Sequence, residues 1–463
     1  MTSSVPVLPY LMVAPYFPPN NYVGAKRALH FATHLQHDGY RPVVITLDAA
    51  FEADSALLPL VPDVEIHRIL GGVQKKAIQT GSKPGATAGI ETGSPSSAGP
   101  RSKPVGSVSA EAPSSPRWIQ WLAQLPPVQT ATLQTRGLQT LLDRYAMGVA
   151  RAFPQVVWRT IAARCRLVYA TFGPPSGVLL GAAVARLCSL PLVLDFRDPY
   201  TLEPNLRAGW SPEAIRQAEW IERWLFRSAA AVVLNTESAQ KMYQTHYAAE
   251  FPPELFTCIR NHFDPALYAP NPAPPMPDDP FRILYYGHLR PSKNALLFAK
   301  AYRGLITKLN LTPRDTQLVM LGEITNDDQA EFARLGLQSY VQSHPWVPFT
   351  ESTILLGKAA LLLDLMGPGH TAQISGKFYD YLAARRPILS VSPNQELDGI
   401  FAETKMGKRV DLDQDAITDA LEGFFKDHRG GAGLIPNEEA LYSFTAKPAA
   451  EKMAAVFRRA LSL

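Results

Sequence analysis

Short apolar runs alternate with helix-length stretches along most of the chain, and this alternation predicts a parallel α/β architecture. In the first half, the apolar runs lie at 10–16, 41–47, 64–69, 167–173, 190–196 and 230–235. In the second half, they lie at 281–287, 316–322, 360–366 and 387–392. Strands that are buried on both faces of a parallel sheet have such continuous apolar runs. The pattern therefore predicts one doubly wound parallel sheet in each half.

A Pro-rich stretch separates the two alternating halves. Residues 264–280 read DPALYAPNPAPPMPDDP, a composition typical of a linker. We expect a first domain over 1–263, a second domain over 281–445, and a terminal helix over 446–463 that can pack back across the domains. Residues 71–116 are rich in Gly, Ser, Pro and Ala, and we expect a disordered insertion there because they offer too little apolar surface to bury.

Length, charge and cysteine content limit the class of protein. A chain of 463 residues is too long for one compact core, and its net charge of +4 gives no argument for a nucleic-acid partner. Three scattered cysteines exclude a disulfide framework and favour a reducing compartment. The amino-terminal segment has no basic leader, and no apolar run is long enough to span a bilayer. These observations predict a cytoplasmic protein.

The loops that follow the strands are the places to look for a ligand, because open parallel sheets bind ligands outside the carboxyl ends of their strands. In the first domain, Gly24 precedes Lys26 and Arg27 at the start of a helix, where the backbone can approach an anion. An ordinary strand-to-helix turn is the alternative. Arg197 and Asp198 follow the run 190–196 and open on the same edge, with capping of a turn as the alternative for Asp198.

The loop after the run 281–287 is basic. His288, Arg290 and Lys293 follow Gly287 before the next helix begins. Cations at a helix amino terminus oppose the helix dipole unless an anion is present, and charge-assisted bonds to phosphate are strong. The loop therefore predicts a diphosphate clamp, with a surface turn as the alternative.

The loop after the run 360–366 reads GPGHTAQISG and leads into the segment SGKFYDYLAARRPIL. Ser375 is the expected N-cap of a helix, and Asp380 lies one turn further on. Asp380 is expected to accept hydrogen bonds from the two hydroxyls of a ribose, as acidic residues do in nucleotide sites. The alternative is that the carboxylate only stabilises the helix dipole.

Five segments together resemble the GT-B glycosyltransferases of the large retaining group called family 4. They are YFPP…GAKR, VYATFGPPSG, LVLDFRDPY, YYGHLRPSKN and SGKFYDYLAARRPIL, and they occur in family order over roughly 8–60 and 118–445. The last is similar to the family pattern K-L-F-E-Y-L-A-A-G-K-P-I-L, with Asp380 in the place of its glutamate. The resemblance implies a GT-B fold, α/β, in which two Rossmann-like doubly wound parallel-sheet domains face a central cleft.

The resemblance also implies roles for particular residues, with acceptor binding by the first domain and donor binding by the second. The expected donor-binding residues are Gly24, Gly287, Arg290, Lys293, Thr371, Ser375, Gly376, Lys377 and Asp380. The candidate catalytic residues are Arg27, Asp198 and His288. No metal and no cofactor are expected beyond the nucleoside diphosphate sugar that serves as donor.

Two positions depart from the family pattern. Ala372 stands where the family commonly has an acid eight positions before its helix glutamate, and His288 stands where a basic residue often follows the loop glycine. His370 and Thr371 are the candidate replacements as hydrogen-bonding groups. The identity of the donor sugar stays open for this reason.

The segment RWIQWLAQL at 117–125 places Trp118, Trp121, Leu122 and Leu125 on one side of a helix. Two interpretations stay open: a helix packed on the first domain, or a helix in the interface of an anionic membrane. Twelve basic residues against three acidic ones between 72 and 166 fit the membrane interpretation, as do the lipid-linked acceptors of the resembling family.

The sequence thus predicts a cytoplasmic enzyme. If the membrane interpretation of 117–125 holds, the enzyme lies at the inner face of the membrane. It would move a sugar from a nucleoside diphosphate sugar to a glycan or lipid-linked acceptor with retention, in cell-surface polysaccharide or glycoconjugate synthesis. Two alternatives are a non-catalytic sugar- or nucleotide-binding relic of the fold and a nucleotide-sugar epimerase. A dehydrogenase is not favoured, because no G-x-G-x-x-G follows a strand.

Overall fold

A computed structural model describes residues 7–20, 23–47, 57, 61–70, 143, 145–268, 270–287, 289, 294–322, 324–344 and 347–462. The expected insertion at 71–116 and the helix at 117–125 lie outside these ranges, so both stay predictions.

The first domain contains a fully parallel sheet. Its strands are β1 (Leu8–Val13), β2 (Tyr40–Leu47), β3 (Glu65–Leu70), β4 (Val168–Thr171), β5 (Leu192–Phe196), β6 (Ala231–Leu234) and β7 (Phe256–Cys258). They pair in the spatial order β3-β2-β1-β4-β5-β6-β7. Leu11 and Val13 of β1 enter one apolar core, whereas Tyr10 and Met12 enter another on the opposite face. The sheet is therefore covered on both faces.

The second domain repeats this architecture. Its strands are β8 (Phe281–Tyr286), β9 (Thr316–Leu321), β10 (Val341–His344), β11 (Leu361–Leu365), β12 (Ile388–Val391) and β13 (Gly407–Val410). They are parallel in the order β10-β9-β8-β11-β12-β13, and their side chains also divide between two cores. The predicted pair of doubly wound parallel sheets is confirmed.

Helices connect the strands. In the first domain they are α1 (Val23–His34), α2 (Ala146–Ala162), α3 (Pro175–Leu187), α4 (Pro204–Arg207), α5 (Pro212–Ser228) and α6 (Glu237–His246). In the second they are α7 (Ala295–Leu309), α8 (Asn326–Arg334), α9 (Phe349–Gly357), α10 (Gly376–Ala384), α11 (Glu396–Thr404), α12 (Gln414–Arg429) and α13 (Glu438–Tyr442). Within the described ranges, no helix combines the length and the apolar character that crossing a membrane requires.

The three strands that the apolar runs did not predict, β7, β10 and β13, all lie at sheet edges. Their sequences are short, and those of β10 and β13, VQSH and GKRV, are polar. β10 is largely exposed and β13 is mostly half-buried. Because an edge strand has a neighbour on one side only, its formation does not require a continuous apolar run. Backbone pairing with the neighbouring strand therefore makes these three segments strands, without a signal in their own sequences.

The last helix, α14 (Ala446–Ser462), packs against the first domain although the chain reaches it from the second. The ring centroid of Phe457 lies 5.1 Å from that of Tyr10 and 5.2 Å from that of Tyr40. The two segments that connect the domains are hydrogen-bonded to each other, with Phe263 N donating to Phe444 O and Ala446 N to Phe263 O. The terminal helix therefore completes the core of the domain in which the chain began.

The position of α14 gives a test of stability. We expect Phe457→Ala to lower the free energy of unfolding by about 3–5 kcal/mol, because it opens a cavity among buried aromatic rings. Denaturation in urea, followed by tryptophan fluorescence, measures the loss. Lys452→Ala on the exposed side of the same helix is the matched control and should change stability by less than about 0.5 kcal/mol. Equal small effects of both changes would contradict the packing described.

Candidate functional site

Helix α10 carries the SGKFYDYL segment and is fixed to two strands through one hydroxyl. Tyr381 Oη donates to Leu363 O of β11 at 3.1 Å and accepts from Tyr286 N of β8 at 3.0 Å. Tyr286 is the last residue of β8, so this bond fixes the strand end relative to the first turns of α10. Gly287, which follows β8, and the helix are thereby held beside each other.

The amino end of α10 is tied to the sheet by a buried aspartate. Ser375 occupies the N-cap position, as the sequence predicts, but its hydroxyl does not bond to a helix amide. Ser375 Oγ instead donates to Asp364 Oδ1 at 2.6 Å, and Ser390 Oγ donates to Asp364 Oδ2 at 3.0 Å. Asp364 is fully buried in β11. The first-turn amides of α10, from Gly376 onward, are therefore left without a side-chain cap.

Lys377 lies in that first turn beside the end of β8. Its Nζ sits 3.6 Å from the centroid of the Tyr285 ring, and a Cβ placed on Gly287 would lie 4.0 Å from the same atom. No acidic side chain of the described residues lies within 4 Å of Nζ. Burial lowers the pKa of Lys377 to about 8, although the more distant charge of Asp364 opposes this. An anion placed between Lys377 and Gly287 would supply the missing counter-charge.

Glycine is required where β8 and β9 end. Gly287 and Gly322 have φ values of +107° and +138°. A Cβ on Gly322 would lie 2.6 Å from Gly287 O, which a side chain cannot tolerate. The two strand ends therefore approach each other with bare backbone, next to Lys377.

Asp380, the expected ribose acceptor, is engaged from the first domain. Lys26 Nζ donates to its two carboxylate oxygens at 2.9 and 3.1 Å, and Tyr268 Oη donates to Oδ1. Lys26 Nζ also lies 4.0 Å from the centroid of the Phe349 ring. Since Lys377 and Asp380 are three residues apart, they lie on the same side of α10. The side chains expected to meet the donor thus share one face.

Arg27, a candidate catalytic residue, is buried in the first domain. Its Nε and Nη2 donate to Asp195 at 2.8 and 2.9 Å, and Nη1 donates to Arg260 O at 2.9 Å. Tyr169 Oη adds a bond to Asp195 at 2.5 Å. Burial opposes the charge of Arg27, but the charge and hydrogen bonds of Asp195 outweigh it and raise the pKa of Arg27. This side chain fixes α1 to β5, and its contact with a reacting sugar stays a prediction.

Gly24 leaves space for an arginine. A Cβ at Gly24 would lie 1.8 Å from Arg197 Nη1, so the guanidinium lies directly on the helix start. Arg197 Nε donates to Phe172 O at 2.9 Å. Asp198, the next residue, is exposed at the carboxyl end of β5, where its Oδ1 accepts from Asn235 Nδ2 at 3.3 Å. These residues form the first-domain side of the cleft.

A buried carboxylate holds the segment that follows Asp198. Glu222 of α5 accepts from the hydroxyls of Thr201, Tyr243 and Tyr247, and Tyr243 Oη also accepts from Tyr200 N at 2.8 Å. Burial raises the pKa of Glu222, which the three hydroxyl donors oppose. The network anchors the loop after β5.

Other polar contacts join the two domains near β6 and β7. Thr236 Oγ1 donates to Ala372 O at 2.7 Å, and Arg260 forms a 2.9 Å ion pair with Glu396. Ala372 is 3% exposed and packs with the first-domain core. At the position where the resembling family commonly has an acid, this chain therefore has a domain contact.

The structure brings some predicted residues together. Gly287, Ser375, Gly376, Lys377 and Asp380 converge at the amino end of α10, and Gly24 lies in the first domain, two residues before the Lys26 that contacts Asp380. Thr371 is exposed in the preceding loop. His288, Arg290 and Lys293 lie outside the described residues, so their roles stay predictions.

Sequence reasoning missed four residues that shape this site: Lys26 as the partner of Asp380, and Tyr268, Asp195 and Asp364. The two aspartates could have been found, because a carboxylate inside a buried apolar run requires a partner. Lys26 and Asp380 are 354 positions apart and carry no signal of their pairing.

Solved structures of similar fold cover almost the whole chain. Sucrose-phosphate synthase of Thermosynechococcus elongatus is 11% identical, over 98% of this chain and 99% of that chain, with a TM-score of 0.62. HepE of Anabaena, solved with UDP and glucose, is 15% identical, over 98% and 100%, with a TM-score of 0.60. A putative UDP-N-acetylglucosamine 2-epimerase of Listeria monocytogenes is 12% identical, over 98% and 96%, with a TM-score of 0.54.

These similarities and the two parallel-sheet domains show that the chain has the GT-B fold, as the resemblance implied. At such low identities they establish the fold and not the activity. A scan against protein-family models and a search of curated proteins both give no match.

Because burial disfavours the charge of Lys377, we expect this residue to lower the stability of the protein while it favours binding of an anion. We expect Lys377→Met to stabilise the protein without ligand by about 1 kcal/mol at pH 7, because a half-buried ammonium is replaced by an apolar side chain. Denaturation in urea measures this difference. The exposed Lys358→Met is the control and should have little effect.

The same difference should depend on pH. The pKa of Lys377 is about 8 in the folded protein and has its ordinary value of 10.5 in the unfolded chain. Between these values the unfolded chain binds more protons, so the natural chain gains stability as pH rises from 8 to 10.5, whereas the variant does not. The advantage of Lys377→Met should therefore shrink over this range, and an advantage that grows would refute the assignment.

Proposed function

We propose that the protein is a glycosyltransferase that binds a nucleoside diphosphate sugar at the amino end of α10. The observation that carries this proposal is the half-buried Lys377, whose ammonium lies beside the bare backbone of Gly287 and has no carboxylate within 4 Å among the described side chains. A diphosphate matches this environment in charge, and the uncapped first turn of α10 favours an anion further.

The geometry suits a departing diphosphate. When a glycosidic bond to the donor breaks, negative charge develops on the leaving phosphate, and fixed cations and helix amides stabilise it without reorganisation. Lys377 and the amides after Ser375 would do this, together with Arg290 and Lys293 as the sequence predicts. Asp380 would accept hydrogen bonds from the ribose, one helical turn away. Contacts between the domains would keep water from the reacting sugar.

The finer parts of the proposal rest on the resemblance in sequence. They are retention of anomeric configuration, a glycan or lipid-linked acceptor at the first domain, and a place at the cytoplasmic face of a membrane. The structural neighbours support a nucleotide donor in general, since HepE was solved with UDP. They also include UDP-N-acetylglucosamine 2-epimerases, so interconversion of nucleotide sugars is the second candidate function.

A panel of nucleotide sugars distinguishes the candidates. We expect the purified protein, incubated with UDP-, GDP- and dTDP-sugars, to release nucleoside diphosphate slowly from one of them as water replaces the acceptor. An epimerase would interconvert the sugars without this release, and a non-catalytic relic would do neither. Release that persists unchanged in Lys377→Met would contradict the proposed site.

Binding can be measured before the sugar is known. We expect UDP or GDP at one hundred times its dissociation constant to stabilise the protein by about 2.7 kcal/mol. Thermal unfolding measures the shift. Lys377→Met and Asp380→Ala should remove most of it, while the exposed Lys358→Met should retain it.

Affinity for the nucleotide should also depend on pH. The Lys377 pKa of about 8 in the ligand-free protein means that the ammonium loses its charge as pH rises above that value. We expect affinity for UDP or GDP to fall between about pH 7.5 and 9, where the phosphates are already ionised. Titration calorimetry checks this. Lys377→Arg keeps its charge, so its affinity should stay nearly constant, and a flat profile for the natural chain would refute the role of Lys377.

A further inference from the structure

Asp380, the expected ribose acceptor, has hydrogen-bond partners within the protein itself. A carboxylate accepts about four hydrogen bonds. Asp380 receives two from Lys26 Nζ and one from Tyr268 Oη. Its side chain is only 10% exposed. The bonds from Tyr268 and Lys26 and two further bonds from ribose hydroxyls would number five, so the ribose must displace Lys26 from at least one carboxylate oxygen.

The site that receives Lys26 is built from the second domain and the linker. Its ammonium lies 4.0 Å from the centroid of the Phe349 ring, and the Phe349 and Tyr268 rings pack edge to face at 5.4 Å. A carboxylate and an aromatic face together form a favourable environment for a cation. The contact therefore combines an ion pair, a phenol hydrogen bond and a cation–π interaction.

The first domain holds Lys26 in place for this contact. Arg27, the next residue, is locked by its two hydrogen bonds to Asp195 inside the domain. Lys26 begins on the same first turn of α1 but reaches the opposite domain, and its side chain is 21% exposed. The ammonium can thus leave Asp380 for water while α1 stays where it is.

We propose that Lys26 is a latch between the domains that competes with the donor nucleoside for Asp380. The proposal rests on the proposed function, because it takes Asp380 as the ribose acceptor. Donor binding replaces the Lys26 bonds with ribose hydroxyls, releases the ammonium, and frees the first domain from that carboxylate. Apparent affinity for the donor is reduced by the fraction of molecules in which the latch is closed.

Two effects of Lys26 on nucleotide binding have opposite signs. As a positive charge in the cleft, Lys26 attracts an anionic nucleotide, and its removal would weaken binding. As a latch, it blocks the ribose acceptor, and its removal strengthens binding. A nucleoside carries no phosphate and reports only the second effect, and high salt weakens the first effect for the nucleotide.

The experiment measures the affinity of Lys26→Met for uridine or guanosine, and for UDP or GDP in high salt, by calorimetry. We expect Lys26→Met to bind the nucleoside roughly three- to tenfold tighter than the natural chain, as release of a partly buried ion pair allows. Lys26→Arg keeps the ion pair and should change affinity by less than about twofold. Lys408→Met removes a lysine that also lies over an aromatic ring, Phe424, but on the edge strand β13, and should have no effect.

The outcomes separate the latch from the proposed function. Binding of UDP or GDP to the natural chain, with nucleoside binding by Lys26→Met that is equal or weaker, overturns the latch and leaves the donor site intact. Absence of nucleotide binding by the natural chain and by the variant overturns both. Lys26→Gln, which loses the charge but keeps a polar side chain, serves as a second variant and should behave like Lys26→Met.

Discussion

Two buried aspartates fix the helices that carry the candidate site. Asp195 in β5 holds the first turn of α1 through Arg27, and Asp364 in β11 holds the first turn of α10 through Ser375. Both carboxylates are fully buried, so each must keep its partners in place or incur a desolvation cost of several kcal/mol. Each sheet thereby sets the direction of one helix amino end, and these ends supply the residues that meet across the cleft.

The basic side chains near the cleft differ in whether they have a carboxylate partner inside the protein. Arg27 pairs with Asp195 inside the first domain, and Arg260 pairs with Glu396 of the second domain. Lys377 has no carboxylate within 4 Å among the described side chains, and burial disfavours its charge more than the distant Asp364 favours it. Groups that serve packing are compensated inside the protein, whereas a group that serves a ligand is compensated by that ligand. In the proposed function, Lys377 belongs to the second kind.

The fold could be predicted further from the sequence than the site could. Central strands must be apolar on both faces, so their runs identified both sheets, but the edge strands β10 and β13 carry no such requirement and were missed. For the site, Ser375 was placed correctly at the start of α10, because an N-cap is a local signal. Its bond to Asp364, and the bond of Lys26 to Asp380, depend on how distant segments are brought together, which local patterns do not encode.

The contacts between the domains differ in whether they involve a side chain that is expected to bind the donor. Those at Thr236 and Ala372 and at Arg260 and Glu396 involve none of the residues expected to bind a donor, except through the backbone beside Thr371. The contact of Lys26 with Asp380 joins the first domain to an expected donor-binding residue. On the proposed function, a nucleotide that reaches Asp380 weakens this contact and leaves the others. Because a ligand shifts a conformational equilibrium only through its different affinities for the two states, this contact is where donor binding can be coupled to domain movement.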